Sequence, residues 1–186
     1  MSLVYLLTTL PILDFADPAP LAMDELFQMI KSEVEEKEYK LLWNFIYNPE
    51  KVRHPVLQKW VDWHRSLQHE LSIFRAKNLG REEQSLISTD PMPYAPMHLA
   101  EECLHALNPY EGQKHLRAGE WEFLEQLSST HYQSIVNLAI YTAKLQILIS
   151  MDLYQTQTGI QRLEQFYKAA VTEKILDGFL GENLHG

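Results

Sequence analysis

The most regular feature of the sequence is a run of side chains spaced three and four residues apart between Pro55 and Leu79. Six positions carry the pattern: Leu57, Trp60, His64, Leu67, Leu71 and Phe74. Such spacing places side chains on one face of an α-helix, which has about 3.6 residues per turn. Pro55 suits the first helical position, and Gly80 follows the run as a C-terminal stop. We therefore predict one long helix with a narrow apolar seam of the coiled-coil type.

Other segments show the same helical periodicity, and none shows the alternation that is typical of a β-strand. Helices are predicted at about residues 20–32, 35–47, 96–107, 109–128, 131–154 and 159–176. Asn108, Pro109 and Glu111 form a capping-box pattern at the start of one of them. The segment 131–154 is apolar on several faces, which predicts a central, buried helix. We expect an all-α protein, a bundle of about six to seven helices with a long central helix pair.

The predicted domain organisation is one all-helical domain over residues 1–186. A chain of 186 residues is long enough for one domain with a real core, or for two small halves that share one. The polar, proline-containing stretch 81–94 would then link the halves 1–80 and 95–178, and residues 179–186 would form a tail.

The chain opens with the apolar stretch MSLVYLLTTLPILDF. A signal peptide needs a positively charged start, but no Lys or Arg precedes Lys31, and Thr8 and Thr9 interrupt the apolar run. The run is also shorter than the ~20 residues of a membrane span. Its leucines follow helical spacing: Leu3, Leu6, Leu7 and Leu10. A short helix or extended segment buried against the core is therefore expected.

The charge and the cysteine content limit which partners the protein can bind and which cellular compartment suits it. The net charge is −9, from 16 basic and 25 acidic residues, and an acidic surface repels the phosphates of nucleic acids. The single cysteine, Cys103, excludes an internal disulfide and a zinc site built from cysteines, and we expect it in the core. Asn137, Lys144 and Gln146 interrupt the most apolar helix. We therefore expect a cytoplasmic protein with no direct membrane insertion and no binding to nucleic acid.

The clearest chemical pattern is Glu102-x-x-His105, which lies within HLAEECLH at residues 98–105. Di-iron carboxylate bundles use this spacing because both side chains project from one helical face. Here His98, Glu102 and His105 fall opposite the apolar face that contains Ala100, so they are expected to face solvent. A helical metal-binding protein or metalloenzyme that uses His98, Glu102 and His105 is the alternative hypothesis.

Other catalytic patterns are weaker. His64 stands in the apolar seam, where a histidine is more often a hydrogen-bonded core residue than a catalytic one. The sequence contains no glycine-rich phosphate loop, no Gly-x-Ser-x-Gly and no His-Glu-x-x-His motif. Nothing near Cys103 supports a nucleophilic pair with a histidine. We therefore predict no catalytic, cofactor-binding or metal-binding residues, and a protein that is not an enzyme.

Four longer stretches resemble one uncharacterised bacterial family. They are YLLTTLPILDF, WVDWHRSLQHELSIFRAKNLGRE, NPYEGQKHLRAGEWEFLEQL and YTAKLQILISMDLYQTQTG. The family pattern corresponds to Tyr5 with Leu10-Pro11, Arg75-Ala76, Asn108-Pro109 with Glu111, Trp121, and Tyr141 with Lys144-Leu145-Gln146. Glu120 and Ser150 depart from it, because the family has basic residues there. The family is a domain of unknown function whose genes commonly lie among those for bacterial V-type ATPase subunits.

The resemblance implies association with a rotary ATPase, in a role similar to that of the all-helical subunit that couples the central stalk to the membrane ring. The expected function is a non-enzymatic helical interaction protein, a subunit or assembly factor of a bacterial V-type ATPase. Residues 81–130 carry nine acidic and three basic residues, which favours a basic partner surface. A homo-oligomer is a further alternative, in which the seam from Leu57 to Phe74 pairs with a second copy.

Overall fold

The computed structural model describes residues 3–78, 96–128 and 134–155. These residues form seven α-helices, one short 3₁₀ turn at Pro49–Lys51 and no β-strand. The helices are α1 Leu3–Thr9, α2 Met23–Glu33, α3 Glu36–Tyr47, α4 Pro55–Asn78, α5 Met97–His105, α6 Pro109–Ser128 and α7 Ile135–Gln155. The predicted all-α bundle of six to seven helices is therefore confirmed. The predicted linker 81–94, last helix 159–176 and tail 179–186 lie outside the described residues.

The chain divides into two compact units, Met1–Ile149 and Ser150–Gly186. The first unit contains α1 to α6 and most of α7. Within it, α4 packs against α5 and α6, although the predicted linker 81–94 separates α4 from these two helices in the sequence.

Three helix starts are stabilised by side chains close in the sequence. The first backbone N–H groups of a helix have no partner within it, so a nearby oxygen atom has to accept from them. The amide N of Ala22 donates to Glu25 Oε2 at 3.0 Å, and the amide N of Glu35 donates to Glu38 Oε2 at 3.2 Å. At the start of α6, the predicted cap is present, because Asn108 Oδ1 accepts from the amide N of Glu111 at 2.9 Å.

The larger hydrophobic cluster, which we call the first core, combines α1, α2 and α3 with parts of α4, α6 and α7. Its most buried members include Leu6, Leu26, Ile30, Leu42, Val52, Leu57, Leu124, Leu138 and Leu145. Leu6 of α1 and Leu10, which directly follows the helix, are buried, and Leu3 and Leu7 of α1 are partly buried against this core. The prediction that the opening stretch is a buried segment is therefore confirmed. The prediction of a buried helix is also confirmed for the portion of α7 that belongs to the first unit.

The smaller cluster, the second core, lies where α4, α5 and α6 meet. Its buried members are Trp63, Leu67, Leu71, Ala100 and Leu116. Along the chain, α4 passes from Leu57 in the first core to Leu71 in the second, whereas α6 passes from Leu116 in the second core to Leu124 in the first. The two helices therefore run antiparallel through both cores.

The leucines of the predicted α4 seam are buried as expected, but the buried face of α4 is wider than the predicted seam. Leu57, Leu67 and Leu71 are fully buried, and Trp60, His64 and Phe74 are partly buried. Val61 and Trp63 are also buried, outside the seam, because α4 contacts helices on more than one side. The leucines of the seam are therefore covered by the chain itself instead of by a second copy.

Two glycines allow α6 to approach α5 closely. A Cβ atom on Gly112 would lie 2.5 Å from the backbone carbonyl O of Cys103, and one on Gly119 would lie 2.3 Å from Leu99 Cδ2. Both distances are shorter than a normal van der Waals contact. Both glycines of α6 therefore have a packing role that offsets the low helix propensity of glycine.

Within the described residues, one helical segment, Ile135–Tyr154, is long and apolar enough to cross a membrane by length and composition. Its apolar window is 56% buried inside the protein, and the core helix of a soluble protein meets the same criterion.

Candidate functional site

The residues of the metal hypothesis lie on the exposed side of α5, as predicted. His98, Glu102 and His105 are all exposed. His98 and Glu102 border a groove of about 500 Å³ whose wall includes Trp63 and Phe123, and His105 is not part of that wall. In the described parts of the chain, no group of three or more His, Cys, Asp or Glu side chains is placed to hold a metal ion. No described geometry therefore favours the metalloenzyme alternative.

Cys103 lies at the edge of the second core and is only partly buried, which corrects the expectation of a core position. Burial raises the pKa of its thiol to about 11, and the negative charges of Glu102 and Glu120 act in the same direction. The thiolate is the nucleophilic form of cysteine. At neutral pH Cys103 is therefore a protonated thiol with low reactivity.

A buried carboxylate links α4 and α6. Glu120 has a side chain that is 1% exposed, and its Oε2 accepts a hydrogen bond from Arg117 Nη1 at 2.6 Å. Its Oε1 lies 3.2 Å from His64 Nε2. Oε1 accepts no hydrogen bond from the described residues, so this second contact is an attraction between charges when the imidazole is protonated. The pairing matters because a buried carboxylate without a partner is strongly destabilising.

The structure changes the interpretation of both members of the His64–Glu120 pair. The side chain of His64 is 40% exposed and its ring stacks on Trp60 at 5.5 Å, so it is not a core histidine. Glu120 lies in the acidic segment 81–130, which favours a basic partner surface in the sequence, but its side chain is buried and not available to a partner. The spacing of Arg117 and Glu120 along one helix is the sequence signal for their ion pair, but nothing in that spacing indicates that Glu120 is buried.

A row of aromatic rings, which we call the aromatic surface, follows one face of α3. It consists of Tyr39, Trp43 and Tyr47, with Phe27 of α2 packed against all three. The ring centroids of Phe27 lie 5.9 Å from Tyr39, 5.3 Å from Trp43 and 5.8 Å from Tyr47. Trp43 and Tyr47 are 4.4 Å apart and are 41% and 45% exposed.

The aromatic surface does not follow from the apolar periodicity of α3, because that periodicity marks the buried face, which contains Leu42 and Phe45. The available signal was the four-residue spacing of Tyr39, Trp43 and Tyr47, which places them on one side of a helix. Partial burial raises the pKa of Tyr47, and the charge of Asp24 adds to this shift. The rings are therefore packed against one another while two of them stay accessible to a partner.

A pocket of about 390 Å³, which we call the α1–α7 pocket, lies beside the opening segment of the chain. Leu10 and Pro11 form part of its wall, and Tyr141 and Lys144 of α7 form another part. These two pairs come from two separate motifs of the family resemblance, far apart in the sequence. The fold therefore places both motifs around one concave site.

The chain matches no protein-family model, no curated protein and no solved structure. Among the described residues, the aromatic surface and the α1–α7 pocket are both accessible and have side chains suited to binding.

Proposed function

We propose that this chain is a helical interaction protein that binds a protein partner through the aromatic surface. The observation that supports this most directly is the exposure of Trp43 and Tyr47, at 41% and 45%, within a row of packed rings. Tyr and Trp are enriched at protein interfaces and often contribute most of the binding energy. Rings that are already packed lose little conformational freedom on binding, which lowers the entropic cost of association.

The charge around the aromatic surface favours a basic partner. The sequence from Met23 to Tyr47 contains six acidic and three basic residues. Asp24 is close enough to Tyr47 to raise the pKa of its phenol. Complementary charge at the edge of an interface increases the association rate and disfavours partners of the same charge. The proposed partner surface is therefore apolar at its centre and basic at its edge.

For the identity of the partner we propose a subunit of a bacterial V-type ATPase, with this chain as a cytoplasmic subunit or assembly factor. The support is the sequence resemblance, which includes Asn108, Pro109 and Trp121. These residues stabilise the fold: Asn108 caps α6, Pro109 is its first residue, and the ring centroids of Trp121 and Phe15 lie 5.6 Å apart. The resemblance therefore concerns the fold, and the aromatic surface supplies the proposed contact.

Affinity capture from the native host tests both parts of the proposal. The tagged chain is expected to recover ATPase subunits at reproducible stoichiometry from gently solubilised membranes. The double variant Trp43→Ser and Tyr47→Ser is expected to lose them, because it removes the two accessible rings. The matched control is Tyr5→Ser, which removes a ring that is 53% exposed on α1, outside the aromatic surface.

The two parts can fail separately. Recovery of no ATPase subunit by the wild-type chain would reject the ATPase as partner. Equal recovery by the wild type and the double variant would reject the aromatic surface as the contact. Circular dichroism of the double variant should match that of the wild type, because neither ring is part of the buried core.

A further inference from the structure

The α1–α7 pocket combines an apolar wall with several polar side chains, three of which come from α7. The apolar wall is formed by Val4, Leu7, Leu10, Pro11, Ile12, Leu13 and Ile140. Asn137, Tyr141 and Lys144 of α7 also line the pocket. Steps of four and three residues place these three on the same side of the helix. Small-molecule sites typically show this combination of a mostly apolar wall and a few polar groups, at volumes of roughly 300–1,000 Å³.

Two of the three polar side chains that α7 contributes have a buried oxygen atom without a partner among the described residues. These atoms are Asn137 Oδ1 and Tyr141 Oη. Nearly all buried polar atoms in folded proteins are hydrogen-bonded, so such exceptions require an explanation. Burial raises the pKa of Tyr141 to about 12, so its phenol keeps its proton and can donate. Rotation of the Asn137 amide exchanges its oxygen and its NH₂ group, so this side chain can also donate.

Lys144 adds a positive charge to the same side of α7. Its Nζ donates to Glu125 Oε1 and lies 4.8 Å from the centroid of the Trp121 ring. An ammonium group has three donors, and Glu125 uses one of them. Its side chain is only 12% exposed, so the charge is held close to the protein.

We propose that the α1–α7 pocket binds a small amphipathic carboxylate. The apolar body of the ligand lies against Leu7, Leu10 and Ile140, and its carboxylate accepts hydrogen bonds from Asn137, Tyr141 and Lys144. A neutral head group would leave the charge of Lys144 without a counterpart in the ligand. A phosphate would bring up to about two negative charges to a site with one cation and the neighbouring Glu125. This site is separate from the aromatic surface and does not depend on the proposed partner.

Isothermal titration calorimetry of the full chain with decanoate, kept below its micelle-forming concentration, tests the proposal. We expect saturable binding of one decanoate per chain. Decan-1-ol and decylamine have the same alkyl length without the carboxylate, and we expect each to bind at least about tenfold more weakly. Equal affinity for decanoate and decan-1-ol would reduce the site to an apolar crevice and overturn the proposal, as would the absence of saturable binding.

Variants locate the carboxylate within the pocket. Tyr141→Phe removes only the phenol oxygen, and we expect it to weaken decanoate binding about tenfold. Its control is Tyr5→Phe, which removes an exposed hydroxyl outside this pocket and should leave the affinity unchanged. Unchanged affinity in Tyr141→Phe would contradict the proposal.

Glu125→Gln provides an independent test that does not disturb the core, because Glu125 is 53% exposed. It removes the carboxylate that competes for Lys144, so we expect decanoate to bind several-fold more tightly. Unchanged or weaker binding in this variant would also overturn the proposed position of the carboxylate.

Discussion

The first and second cores are built from the same type of helix but differ in how they are held together. The first core is formed mainly by aliphatic side chains, with Phe27 and Phe45, from several helices. The buried Thr142 of α7 hydrogen-bonds within its own helix, to the carbonyl O of Leu138. The region of the second core contains a buried charge, Glu120, and two positions of α6 where only glycine fits without movement. Apolar burial dominates the first region, whereas specific pairing and close approach of backbones dominate the second.

Removal of α1 should have the largest effect and tests the first core. Deletion of residues 1–13 removes the buried Leu6 and Leu10, and we expect the free energy of unfolding to fall by about 4 kcal/mol or more. Urea denaturation followed by circular dichroism measures the change. An unchanged denaturation midpoint would show that α1 does not contribute to the core. The control Ile12→Ala, at a side chain that is 94% exposed, should alter stability by less than about 0.5 kcal/mol.

Two alanine substitutions in α6 test the close approach to α5. Gly112→Ala brings a Cβ atom against backbone that cannot move easily, so we expect a loss of about 1–3 kcal/mol. Gly119→Ala meets the end of the Leu99 side chain, which can rotate, and alanine gains up to about 1 kcal/mol of helix propensity. The expected result for Gly119→Ala is a much smaller change. Equal loss in the two variants would contradict the distinction between backbone and side-chain contact.

The buried ion pair should have a smaller effect, because its partners retain access to water. Glu120→Gln keeps the shape of the side chain and removes its charge, and we expect a loss of about 1–2 kcal/mol. Glu122→Gln changes an exposed glutamate on the same helix and should have an effect below about 0.5 kcal/mol. A Glu120→Gln variant as stable as the Glu122→Gln variant would show that the charge at residue 120 is not needed.

Cys103 should give the smallest effect, visible only at high pH. Its thiol pKa is raised from 9.0 to about 11, so between these values the folded chain keeps a proton that the unfolded chain has lost. The stability contribution is therefore fully present below pH 9.0 and is lost as the pH rises towards about 11. Cys103→Ser lacks this titration and should lose less stability over the same range. Iodoacetamide should alkylate the folded wild type at pH 8 far more slowly than the urea-unfolded chain, and equal rates would contradict the raised pKa.

The difference between the two regions also explains what could be predicted from the sequence. Leu26, Leu42 and Leu57 of the first core were identifiable because apolar periodicity records directly which side of a helix is buried. The pairing of His64 with Glu120 was not, since it joins residues of different helices and no local pattern contains it. The packing role of Gly112 and Gly119 could not be predicted either, because the approach of α5 to α6 is a tertiary feature.

The candidate sites follow the same division. The exposure of His98, Glu102 and His105 followed from their position opposite the apolar face of α5. The α1–α7 pocket required the fold, because it joins Leu10 and Pro11 to α7. The aromatic surface is only partly predictable. The four-residue spacing of its rings is present in the sequence, but their exposure depends on how α3 packs against α2.

The most direct test of the proposed interaction is hydroxyl-radical footprinting of Trp43 in the free chain and in the captured complex. Trp43 is accessible in the free chain, so we expect rapid oxidation there and strong protection in the complex. Tyr5 is exposed on α1 and should be oxidised equally in both states. Equal oxidation of Trp43 in the free chain and in the complex would contradict the assignment of the aromatic surface as the partner-binding face.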